Sequence, residues 1–198
     1  MLNSSEELSY WYLRLNGFFL LDNFVIHKSE TIDYTSDADL LAIRPPFVHE
    51  DIGGNEKDWD QTLFSNFSNS ATIGIICQVK GGAIGDKELF REPYLSYSIK
   101  RLGLTKDITD VLKQLKGNAV ATFENELGTK CHIAKLLITR DAAKKQSDFI
   151  EIRLKDIYNF IQNRIDNYPK EKYRDRNFFS SIGLQTIIEL DNIKRTEE

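Results

Sequence analysis

Two stretches of this chain are apolar on both faces of an extended strand. One is Leu40-Leu41-Ala42-Ile43; the other runs from Ala71 to Val79, where Ile73, Ile75, Cys77 and Val79 share one face and Ile76 sits on the other. A strand apolar on one face needs one layer of cover, and a strand apolar on both needs two. Such segments therefore require a sheet with helices above and below it.

The rest of the chain supplies those helices and strands. Ser4-Ser5-Glu6-Glu7 has the form of a capping box, with Ser4 as N-cap and Glu7 three residues on. Leu8, Trp11, Tyr12 and Leu15 follow at helical spacing, and Gly17 closes the helix. Strands are expected over Phe18 to Ile26, Ile32 to Ile43, Ala71 to Val79, Ala119 to Phe123, His132 to Thr139 and, briefly, Phe149 to Ile152. Helices are expected over Tyr94 to Leu102, Ile108 to Leu115 and Leu154 to Tyr168, the last with Ile157, Phe160, Ile161 and Ile165 on one face. Arg44-Pro45-Pro46 stops the second strand, since proline lacks the ladder donor. The polar stretch that follows is long for a connection, so 44–70 reads as an insertion, either a functional excursion or a short helix around Trp59 to Phe64. The expected architecture is α/β: a three-layer αβα sandwich with a mixed central sheet, in a single domain over 1–198.

Composition narrows the function classes. The 198 residues hold 41% apolar side chains, enough for a packed core. Arg14 and Asn16 interrupt the first twenty residues, so neither a signal peptide nor a membrane span is expected. Two cysteines without metal-type spacing exclude a disulfide scaffold and a zinc cluster, and fit a reducing cytoplasm. The net charge of −4 hides an asymmetry. Residues 1–70 carry 4 Lys+Arg against 12 Asp+Glu, whereas residues 71–176 carry 20 against 14. An acidic third beside a basic remainder suits a cation site next to a surface for a polyanion.

Polar residues at the ends of the buried strands carry the chemistry. Asp39 opens the Leu40–Ile43 run, while Gln78 and Lys80 close the Ala71–Val79 run on one face. If the two strands pair antiparallel, the three residues meet at one rim of the sheet. A carboxylate and an amide oxygen are hard ligands for Mg²⁺, which keeps several waters. An ammonium beside them can orient the attacking water and offset charge developing on phosphorus. Asp37 shares the face of Asp39 and reads more simply as a turn cap. Cys131-His132 looks like a nucleophile and base, but neighbours on a strand point to opposite faces, and Cys77 reads as a small core residue. His27 and His49 read as surface residues.

Ser36-Asp37-Ala38-Asp39-Leu40-Leu41-Ala42 and Ile76-Cys77-Gln78-Val79-Lys80-Gly81 together resemble the PD-(D/E)xK nuclease superfamily, the restriction-endonuclease-like fold, in its Gln-x-Lys form. The resemblance covers residues 1–82, including the first helix, its glycine turn and the first strand. It implies a metal-dependent nuclease in which Asp39 and Gln78 hold Mg²⁺, with Mn²⁺ as a substitute, and Lys80 positions the water. A helix carboxylate completes the family pattern; Glu6 takes that place here, because Glu7 is accounted for as the cap. Gln78 stands where Glu is commoner, removing one anionic ligand, and Glu50, Asp51, Asp58 and Asp60 of the insertion are candidate substitutes or solvated loop charge. The implied substrate is nucleic acid, DNA ahead of RNA, in a restriction, phage-defence or repair setting. Cutting two strands often uses two copies, so a homodimer is compatible with this reading, as is a protein partner for targeting. Lys144, Lys145, Lys170, Lys172, Arg174 and Arg176 are the candidate phosphate contacts. The rival readings are a catalytically inactive protein of the same fold that binds nucleic acid or a protein, and an assembly subunit of unrelated fold.

Overall fold

The computed structural model describes residues 3–27, 34–81, 89–140, 148–168 and 181–196. In chain order the elements are α1 (Ser4–Leu15), β1 (Phe19–His27), β2 (Tyr34–Arg44), a 3-10 turn at Glu56–Asp58, α2 (Gln61–Phe64), β3 (Thr72–Lys80), α3 (Tyr94–Leu102), α4 (Thr109–Leu115), β4 (Val120–Glu124), β5 (Lys130–Thr139), β6 (Ile150–Arg153), α5 (Leu154–Asn167) and α6 (Ile182–Thr196). The fold is α/β around a mixed, open, six-stranded sheet. β1, β2 and β3 form an antiparallel meander. β5 then lies parallel to β3, and its far edge is shared by antiparallel β4 along one half and parallel β6 along the other.

Both faces of the central strands are covered, as their two-sided apolarity requires. Leu40, Ala42, Ile73, Ile75, Cys77, Val79, Leu136 and Ile138 pack with α1, α5 and α6. Leu41, Ile76, Ile133 and Leu137 pack with α3 and α4. α5 docks through Ile157, Ile161 and Ile165, each buried, four residues apart on one stripe. Burying each such side chain contributes about 1.5–3 kcal/mol, so Ile161→Asp, at the middle of the stripe, would loosen the helix from the sheet. On the other face Lys135 is only 2% exposed, and its Nζ donates to Leu115 O (2.7 Å) and to Asp148 (3.2 Å). It thereby places a cation at the carbonyl end of α4. Among the described residues no helix is long and apolar enough to cross a membrane.

Two local features differ from the sequence expectation. The N-cap of α1 is Asn3, not Ser4: Asn3 Oδ1 accepts from the amides of Ser5 and Glu6, and Glu6 returns the bond to the Asn3 amide at 2.9 Å. The capping box is thus shifted by one residue, because Asn caps as well as Ser. The second feature is α6, which was not anticipated. Its signal is short: Ser181 Oγ accepts from the Leu184 amide at 3.1 Å, and Leu184 and Ile188, one turn apart, are buried.

The 44–70 insertion contains α2 where a short helix was one of two expectations, and it is strapped to the layer of α1 and α5. Arg44 is buried, donates from Nε to Asn16 O (3.0 Å) and stacks over the Trp59 ring at 4.1 Å. Tyr12 donates to Asp60 (2.8 Å), Tyr168 donates to Asp58 (2.8 Å), and the Arg164 guanidinium donates to the carbonyls of Gly53 and Asp58. Gly17 makes the approach feasible. Its φ is +82°, and a Cβ there would stand 2.8 Å from Val48 Cγ1 and 3.2 Å from Arg44 Nε.

Candidate functional site

Antiparallel pairing of β2 with β3 runs from Arg44↔Ile73 to Leu40↔Cys77. One further step in that register sets Asp39 opposite Gln78, and Lys80 follows two residues on along the same face of β3. The apolar residues fix this register: shifting it by one would turn Leu40 and Ala42 out of one core and Leu41 out of the other. Asp39, the first polar residue beyond the run, is therefore held at the rim. There its Oδ2 accepts the Val79 amide at 2.6 Å, which fixes the carboxylate against β3.

Gln78 is the unusual member. It is 8% exposed, and its Oε1 is buried with no hydrogen-bond partner among the described residues. A buried acceptor left unmet costs about 1–3 kcal/mol, a penalty a ligand at the rim would remove. Lys80 is half-buried at the end of the strand. Beside it the three parallel strands stop together, Lys80 paired with Thr139 and Thr139 with Arg153. Thr139 Oγ1 donates to Glu151 (3.1 Å), and Arg153 pairs with Asp156 (3.2 Å). The carboxyl ends of parallel strands are where open α/β sheets leave room for ligands.

Thiol chemistry has no support at this rim. Burial, and then the Asp39 carboxylate, push the Cys77 thiol well up, so it stays protonated. Burial also raises Cys131. His132 is occupied elsewhere: Nε2 accepts the Ser68 amide (3.1 Å), and Nδ1 lies 2.9 Å from Thr122 Oγ1.

The donor set fits a hard divalent cation that retains most of its water. Asp39 offers a carboxylate oxygen and Gln78 an otherwise unmet carbonyl oxygen, the chemistry Mg²⁺ accepts. Among the described residues no group of three or more His, Cys, Asp or Glu side chains is arranged to hold a metal. Glu6, expected as the helix carboxylate, gives both oxygens to the Asn3 cap and so fills the place expected of Glu7, whose side chain takes no part in the cap. The insertion carboxylates are not substitute ligands either. Residues 44–70 leave β2 and enter β3 at the opposite end from Asp39 and Gln78, five residues or roughly 17 Å of strand away. Asp58 and Asp60 serve there as caps and tyrosine acceptors, and exposed Asp51 pairs with His49. Lys144, Lys145, Lys170, Lys172, Arg174 and Arg176 lie outside the described residues.

Two residues at the rim had no sequence signal. Arg140 follows β5, and its amide donates to Lys80 O at 3.3 Å. Ser5, buried on the first turn of α1, comes up against Gly81, the residue after Lys80. Only the docking of α1 and β5 beside the end of β3 makes them neighbours of the site. Compared with family models, curated proteins and solved structures, the chain matches none.

Proposed function

We propose that this protein is a divalent-metal-dependent nuclease of restriction-endonuclease-like fold, hydrolysing phosphodiester bonds, in DNA ahead of RNA. The observation that carries the reading is the buried, unmet Gln78 Oε1, on the residue just before the one whose amide Asp39 accepts, with Lys80 two residues beyond on the same strand. Asp39 and Gln78 hold the ion, and the Val79 amide keeps the Asp39 carboxylate aimed. When bound, the metal supplies Lewis-acid polarisation of the phosphoryl oxygen and a more acidic water. Lys80 orients the attacking water and offsets the negative charge gathering on the phosphoryl oxygens. The basic excess of residues 71–176, 20 Lys+Arg against 14 Asp+Glu, suits a polyanionic substrate.

A second reading, binding without hydrolysis, is favoured by one observation: the Glu6 carboxylate is committed to the cap, leaving the site one anion poorer than the family pattern. The deciding experiment incubates the purified protein with linear, branched and single-stranded DNA and RNA in Mg²⁺ or Mn²⁺. Cleavage is expected, stopped by a chelator and slowed about 10²-fold or more in Lys80→Ala. Absence of cleavage on every substrate, or equal cleavage by Lys80→Ala, would overturn the nuclease reading.

A further inference from the structure

Next to Lys80 the chain leaves a small niche. Gly81 has no side chain to fill it, and a Cβ there would lie 3.3 Å from Ser5 Oγ and 4.0 Å from Arg140 Nη2. A hydroxyl and a guanidinium nitrogen thus both lie within 4 Å of the position a side chain at Gly81 would take. The main chain that carries each group is held in place. The Ser5 amide donates to Asn3 Oδ1 (3.0 Å), the Ser5 carbonyl accepts from Ser9 Oγ (2.7 Å), and the Arg140 amide donates to Lys80 O (3.3 Å).

We propose that Ser5, Gly81 and Arg140 form a subsite for a backbone phosphate of a nucleic acid strand, next to the phosphate that Lys80 addresses. Arg140 presents a planar fork of N–H donors, the geometry that suits phosphate oxygens. Ser5 contributes one further donor, and the bare Cα of Gly81 lets the phosphate approach the backbone closely. The subsite deepens the nuclease reading, because its position beside Lys80 is what gives it a substrate; binding alone is enough to test it.

The test measures anisotropy of short fluorescein-labelled single-stranded and duplex oligonucleotides in a chelator, so that cleavage plays no part. Arg140→Gln is expected to weaken binding and to flatten the dependence of log K on log salt by about 0.9 for duplex and 0.7 for single strand, the signature of one lost phosphate contact. Gly81→Val fills the niche without changing charge and is expected to weaken binding as well, with its melting temperature checked against wild type. Lys130→Gln, an exposed change at the other end of β5, is the control and is expected to bind as wild type. The proposal fails if Arg140→Gln keeps the wild-type salt slope, if Lys130→Gln weakens binding equally, or if the wild type binds neither oligonucleotide. Binding that depends on Arg140 without any cleavage in Mg²⁺ would remove the nuclease reading and keep the subsite. Cleavage indifferent to Arg140 in both affinity and rate would do the reverse.

Discussion

The amide of Val79 donates to the Asp39 carboxylate across 2.6 Å, just beyond the last paired residues of β2 and β3. A side chain thus holds together two strands at the point where their ladder ends. It also sets a carboxylate against the residue that follows Gln78, whose buried Oε1 has no partner among the described residues. Asp39→Asn keeps an acceptor for Val79 but loses the charge, so it should cost the metal-free protein about 1 kcal/mol. Its effect on metal binding should be larger. Wild type is expected to melt higher in Mn²⁺, by about 2.7 kcal/mol when the ion stands 100-fold above its Kd. The Asn variant should show no Mn²⁺ shift; an equal shift in both would remove Asp39 from the site.

Gln78 should exchange stability for function. Gln78→Met is close in volume and removes the unmet Oε1, so the metal-free protein is expected to gain about 1 kcal/mol. The same change should abolish metal-dependent cleavage. Urea unfolding and a cleavage assay on one preparation check both halves. A Met variant that is less stable, or that still cuts, contradicts the assignment.

His132 predicts a pH dependence. Its Nε2 accepts the Ser68 amide, so the folded ring is neutral, and burial, with Lys130 adding to it, lowers its pKa below the usual 6.5. The unfolded chain therefore takes up the proton first as pH falls, and stability present above about pH 6.5 is lost as pH drops towards the lowered folded value. Urea midpoints at pH 7.5 and pH 5.5 are expected to differ more in wild type than in His132→Gln. Equal differences would show that another group sets the slope.

Arg164 ties α5 to the insertion through the carbonyls of Gly53 and Asp58. Arg164→Met strands one buried and one part-buried acceptor and should cost about 3 kcal/mol. Limited proteolysis is expected to shift to residues 44–70. Because this strap lies at the opposite end of the sheet from Asp39 and Lys80, oligonucleotide binding at a temperature where the variant is folded should be unchanged. Loss of binding in a folded variant would tie the insertion to the site.

The α/β class, most elements and the rim position of Asp39, Gln78 and Lys80 were legible from sequence alone. Each depends on local regularities: alternation along a strand, the 3.6-residue stripe of α5, and the geometry by which antiparallel pairing brings the start of one strand to the end of the next. Tertiary structure decided the rest. Glu6 against Glu7 turned on which of Asn3 and Ser4 caps α1, a choice one residue wide between side chains that cap equally well. The insertion carboxylates looked available until Tyr12, Tyr168 and Arg164, distant in sequence, closed on that segment. The unmet Gln78 acceptor and the Ser5–Arg140 niche are likewise properties of what packs nearby. Periodicity tells a residue which face it occupies; only the folded chain tells it who else is there.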